Sequence, residues 1–252
     1  MSPDRSRTSY EESAAGLARR ALGALRGAGG TAMVAEHVES APDPGAALAA
    51  VRILGADALA PALLSGRAVH PDDAAAFVRA FTALPPARDV QAPPDGPPGP
   101  WLMAWRDWGT VTLLAVLSAG TWPGIGPDPA PPAVTQPPPP PPGGSATGDD
   151  DAWAAWSVTM GRLSPLALPG LDGPVHDAAR SSPLGLARGA TRAVLRRDHP
   201  TAARIVRWLV WLHCDGVRTP LDPAPLVDHI ALLAGGDRLA LDTAIARRML
   251  AL

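Results

Sequence analysis

The sequence predicts an all-α protein, and three observations carry that reading. Apolar residues recur at helical spacing in one stretch after another. No stretch alternates apolar and polar residues over six positions with β-branched or aromatic enrichment. Helix starts of the form X-Pro punctuate the chain at Asp43-Pro44, His70-Pro71, Gly173-Pro174, Ser182-Pro183, His199-Pro200 and Asp222-Pro223. Proline at the first helical position gives up a donor that has no intrahelical partner there. The expected architecture is one or more bundles of short helices, with two helical halves separated by a disordered Pro-rich linker.

The elements follow in order. Thr8 and Glu11 have capping-box spacing ahead of Leu17, Ala18, Ala21, Leu22 and Leu25. Thr31 is placed to cap a short helix holding Met33, Val34, His37 and Val38. Asp43-Pro44 opens a helix through Leu48, Val51, Ile53 and Leu54, and Gly55 suits its C-cap. Ala58 to Leu64 is a shorter candidate interrupted by Pro61. His70-Pro71-Asp72-Asp73 sets two acids near the positive end of the helix that carries Phe77, Val78, Phe81 and Leu84. An apolar island, Trp101 to Trp122, then lies between two proline-rich breaks, 85–100 and 123–150.

The second break contains six consecutive prolines, Pro137 to Pro142, followed by Gly143-Gly144-Ser145. Proline fixes φ and donates no hydrogen bond, so the run reads as an extended polyproline spacer, or as a ligand for an aromatic-lined groove. Beyond it, Asp149 to Asp151 precede a helix with Trp153, Trp156 and Met160. His199-Pro200 opens the most apolar helix, Ile205 to Leu212, which belongs in the middle of a bundle. Asp222-Pro223 starts the next, and Asp237 is placed to cap a last helix that ends near Arg247 and Arg248. The expected organisation is therefore an N-terminal helical region over 1–122, a linker over 123–150 and a C-terminal helical region over 151–252.

Composition narrows the function classes. The chain has 252 residues, one cysteine, 31 prolines and 25 glycines, and all 22 basic residues are arginine. A single thiol excludes a disulfide framework and every multi-thiolate zinc motif. Arginine without lysine, with abundant Ala, Gly and Pro, points to the coding bias of a GC-rich bacterium. Residues 151–252 hold twelve arginines against nine acids, a surplus far below the footprint of a nucleic-acid module. The N-terminal residues have no signal-peptide apolar run, and Trp108 to Trp122 spans about fifteen residues where roughly 20 are needed to cross a bilayer. These features predict a cytoplasmic protein with no membrane partner.

Chemical motifs are sparse. No P-loop lysine, H-E-x-x-H, G-x-S-x-G or strand-linked G-x-G-x-x-G is present, and neither a metal site nor a cofactor is expected. His213-Cys214-Asp215, with His229 as a distant partner, is the one set that invites a catalytic reading. Adjacent helical residues point about 100° apart, so His213 and Cys214 do not face one point. Trp105, Trp108, Trp208 and Trp211 are candidates for a ligand or partner surface, although indoles on such apolar helices serve as core more readily. Arg204 and Arg207 precede Trp208 and Trp211 by four residues, which suggests cation–π pairs.

Three functions follow from these signals. The first is a non-catalytic adaptor that binds another protein. The second is an enzyme or small-molecule binder with a Trp-lined pocket near His213 and Cys214. The third is a DNA-binding regulator that uses Arg192, Arg196, Arg197, Arg204 and Arg207.

Overall fold

The computed structural model describes residues 3–28, 30, 32–87, 89–118, 136–141, 152–233 and 235–252. The protein is all-α, with no strand among the described residues. Most of the segment expected to be a linker, 123–135 and 142–150, lies outside them, as do Thr31 and Asp149 to Asp151. The described residues fall into two compact units, one drawn from Met1–Asp89 and Met103–Gln136, the other from Val90–Leu102 and Pro137–Leu252.

The first unit begins with α1 (Pro3–Leu25), α2 (Met33–Ser40) and α3 (Pro44–Leu54), and continues through a 3-10 turn at Gly55–Ala58 into α4 (Ala60–Leu63) and α5 (Pro71–Ala83). Leu17, Ala21, Ala47, Val51 and Phe77, each fully buried, form the heart of its core. Asp43 caps α3 as its sequence position predicts, accepting from the Ala46 amide at 3.0 Å. Gly55 ends that helix at φ 57°, a left-handed conformation that glycine adopts without a Cβ penalty. The stretch Pro44–Leu63 is long and apolar enough to cross a membrane (mean hydropathy 1.6), and 67% of it is buried.

Two polar details depart from the sequence reading. Helix α1 starts at Pro3, so Thr8 and Glu11 lie inside it rather than at its start. Asp73, expected to serve its own helix, instead accepts from the Val34 and Ala35 amides at 2.8 and 2.9 Å and so caps α2. Its own helix is capped by His70, whose Nδ1 accepts from the Asp72 amide at 3.3 Å.

Helix α6 (Pro98–Leu117) starts inside the first proline-rich break and supplies residues to both units. In the first unit, Asp107 of α6 receives both arms of the Arg52 guanidinium, with Nε 3.1 Å from Oδ1. Arg52 also donates to the Leu84 carbonyl at 2.7 Å, so one side chain ties α3 to α6 and to the end of α5. Burial pushes the Asp107 carboxyl above its ordinary range, and Arg52 opposes that shift.

The second unit contains α7 (Ala152–Arg162), a 3-10 turn at Ser164–Leu166, α8 (Pro174–Ser181), α9 (Pro183–Leu195), α10 (His199–Cys214), α11 (Pro223–Leu232) and α12 (Asp237–Leu250). Helix α10 packs against α7, α9, α11 and α12. Its apolar residues point in every direction because neighbours surround it. Trp208 is fully buried and donates its indole N–H to the Met160 carbonyl at 2.7 Å. The cap of α10 is Asp198, which accepts from the Thr201 amide at 3.1 Å. Helix α12 has Gly236 at its cap position, and Asp237 is its first helical residue rather than its cap. Within this unit Trp101 donates to the Pro139 carbonyl at 2.8 Å and Pro141 is buried. That part of the proline run is therefore seated on the protein.

Candidate functional site

The sequence-predicted chemical residues do not converge. Trp105 and Trp108 lie in the first unit, stacked edge to face with centroids 5.4 Å apart, and both are buried. Trp208 and Trp211 are buried in the second unit with centroids 6.0 Å apart. All four are core. His213 is exposed at the end of α10, and His229 is exposed on α11. The Cys214 thiol points to the Met249 carbonyl at 3.5 Å, and burial raises its pKa, the opposite of what a nucleophile needs. Asp215 is occupied by Arg180 at 2.9 Å. Among the described residues, no group of three or more His, Cys, Asp or Glu is arranged to hold a metal ion.

The arginines expected over the tryptophans do something else. Arg207 is fully buried and donates to Asp242 at 2.8 Å, while Arg238 reaches the same carboxylate at 3.0 Å and Arg204 at 3.8 Å. Burial alone would raise the Asp242 pKa, but Arg238, Arg207 and Arg204 outweigh it and hold the carboxyl below its usual range. The cation over Trp211 is Arg180, 4.8 Å from the ring centroid, with Asp172, Asp177 and Asp215 around its guanidinium.

The sequence reading also missed His176. Its ring lies 4.9 Å from Trp211 and 5.4 Å from Trp208, fully buried. Nε2 is 3.0 Å from the Leu166 carbonyl, so that nitrogen carries the proton, and the bare Nδ1 has no hydrogen-bond partner. Burial lowers the pKa of this imidazole and keeps it neutral. The available signal was the spacing of Val175, His176 and Ala179, which share the buried face of α8.

Beside these elements an open groove of about 750 Å³ runs along α9. Its apolar lining includes Trp153, Leu184, Leu195 and Leu221, and its polar border is Arg188, Arg192 and Arg196. Leu184 is 51% and Leu195 78% exposed, although both are large apolar side chains. The groove exists because α9 is two-faced. Gly185, Gly189 and Ala193 lie on its buried side, where a Cβ built on Gly189 would stand 2.3 Å from the Ser157 Cβ. That close approach seats α9 against α7 and turns the leucine and arginine face outward.

Arg188, Arg192 and Arg196 follow one another at i, i+4, i+8, so their stems rise about 6 Å apart along one flank. The Arg192 guanidinium lies 5.8 Å from the centroid of the Trp153 ring. Among the described residues, none of the three is ion-paired or hydrogen-bonded through its guanidinium. Arg192 and Arg196 also border a second groove, of about 490 Å³, that runs beside Ser157 and Thr201. Arg192 and Arg196 were thus legible as a basic pair, but Arg188, Trp153 and the two leucines join them only once α9 is given a buried face. Comparison with protein-family models, curated proteins and solved structures finds no match to this chain.

Proposed function

We propose that this protein is a non-catalytic binding protein that engages another protein through the α9 groove. The observation that carries the reading is the pairing of two strongly exposed leucines with Trp153 in one open groove. The unit also exposes Val158, Leu232, Leu233 and Leu252, but Leu184 and Leu195 line one groove together with Trp153, and such a strip stands in water only at a free-energy cost, which a partner removes. The polar groups of the unit support the same reading. Asp242, Arg180 and His176 are engaged in packing the core or its rim, and none opens with a second reactive group onto the groove. The Trp-lined pocket near Cys214 loses its basis, since Trp208 and Trp211 are buried and the thiol pKa is raised. Of the five arginines a DNA-binding reading would use, Arg207 is committed to Asp242 and Arg204 lies 3.8 Å from the same carboxylate, which counts against that reading, while Arg192 and Arg196 border the apolar groove.

Site-specific photocrosslinking in the native host tests this. A photoreactive residue replacing Leu195 is expected to give a discrete protein adduct. The same residue at Leu232, on α11 and 84% exposed, is expected to give none. Equal adducts from both positions, or none from Leu195, would overturn the reading.

A further inference from the structure

We infer that the partner of the α9 groove is an acidic amphipathic helix, whose carboxylates meet Arg188, Arg192 and Arg196 while its apolar edge covers Leu184 and Leu195. This rests on the binding role proposed for the groove and adds the chemistry of what binds there. The argument is one of uncompensated charge. Several other arginines of the second unit have acids: Arg180 has Asp172, Asp177 and Asp215, Arg247 has Asp228, and Arg207 with Arg238 has Asp242, while Arg197, Arg218 and Arg248 stand singly rather than in a row. Asp198 and Asp222 are spent on the first turns of α10 and α11. The row on α9 alone carries three cations in succession with no carboxylate against them among the described residues.

Geometry then selects the shape of the occupant. Three guanidinium groups about 6 Å apart on a helix match carboxylates at i, i+4, i+8 on a second helix laid alongside, since both obey the same rise. Each planar guanidinium can accept a carboxylate through two parallel N–H donors. Leu184 continues the arginine row one turn before Arg188 and Leu195 lies beside its far end, so the occupant needs apolar residues adjoining its acids. A nucleic-acid backbone would satisfy the cations but leave Leu184 and Leu195 against phosphate and sugar, and the surplus of positive charge over 151–252 is only three.

The test uses the full chain and fluorescently labelled synthetic peptides followed by anisotropy. One peptide carries Glu at i, i+4, i+8 beside a leucine stripe, a second has the same composition scrambled, and a third has the leucines replaced by serine. Only the first is expected to bind, more weakly as salt rises from about 0.05 M to about 0.5 M. Combined Arg188→Glu, Arg192→Glu and Arg196→Glu substitution should weaken binding at least roughly tenfold, about 1.4 kcal/mol. The corresponding lysine triple should retain most of it, with thermal melts showing that both variants fold. Equal binding of the scrambled peptide, or no effect of charge reversal, overturns the inference. Preferential binding of a duplex DNA fragment overturns it in favour of a polyanion site. If no acidic peptide binds while Leu195 still crosslinks to a protein, the acidic partner falls and the binding role stands. If both experiments fail, both fall.

Discussion

Asp242→Asn should be among the most damaging single changes in the second unit. Asp242 is 1% exposed and Arg207 is not exposed at all, and they meet at 2.8 Å in the interior of the unit. Removing one partner of a buried pair strands the other, at about 3–5 kcal/mol. Arg204 and Arg238 add little to that figure, because their side chains are 37% and 28% exposed and turn to water when the carboxylate goes. At roughly 2–4 °C per kcal/mol for a protein of this size, the second unit should melt about 6 to 20 °C lower. Calorimetry on the intact chain reads this directly and separates the two units if they melt apart. Replacing both partners, Asp242→Leu with Arg207→Met, should recover most of the loss, since well-packed apolar residues often match a buried ion pair. A loss below about 1 kcal/mol for Asp242→Asn, the value of an exposed pair, would show that the cluster is not the interior strut described above.

Other outcomes follow from the same structure. The lowered pKa of His176 means that the unfolded chain binds its proton more readily, so its contribution to stability is complete above about pH 6.5 and declines as pH falls below that value. His176→Gln should flatten the stability-against-pH profile between about pH 7.5 and 5. An unchanged slope, with Asp172, Asp177 and Arg180 still in place, would assign the effect elsewhere. Gly189→Ala should destabilise by about 1–2 kcal/mol despite better helix propensity, because its Cβ meets the stem of Ser157. Adding Ser157→Gly should restore part of the loss, and a neutral Gly189→Ala would show that α7 and α9 are not so closely seated. Asp73→Ala should cost about 1–2 kcal/mol by uncapping α2, and Asp72→Ala, exposed at its helix start, much less. Equal urea midpoints for the two variants would contradict the cross-helix cap.

Much of the fold can be read from residues close together in the chain. Proline at the first helical position marks α3, α5, α8, α9 and α11 correctly, and at α3, α5 and α11 the residue before it also caps the helix within four residues. The surrounded position of α10 follows from its apolar circumference. Two of the readings that changed concern polar side chains whose partners are distant. Asp73 leaves its own helix for the amides of α2, 39 residues away, and Arg207 leaves the neighbouring indole for Asp242, 35 residues away. A local motif cannot anticipate these choices, since they depend on which helix ends and which charges packing brings together.

The α9 groove divides along the same line. The sequence by itself determined that a helix starts at Ser182-Pro183, and 3.6 residues per turn puts Gly185, Gly189 and Ala193 on one side and Leu184, Arg188, Arg192 and Arg196 on another. Only the tertiary structure decided which side is buried. Glycine lets α7 approach closely where no larger side chain fits, and among the described residues Asp172, Asp177, Asp215 and Asp242 pair with other arginines while Asp198 and Asp222 cap helices. Charge that could have been neutralised within the chain is thereby left facing outward, beside apolar surface that no other part of the described protein covers.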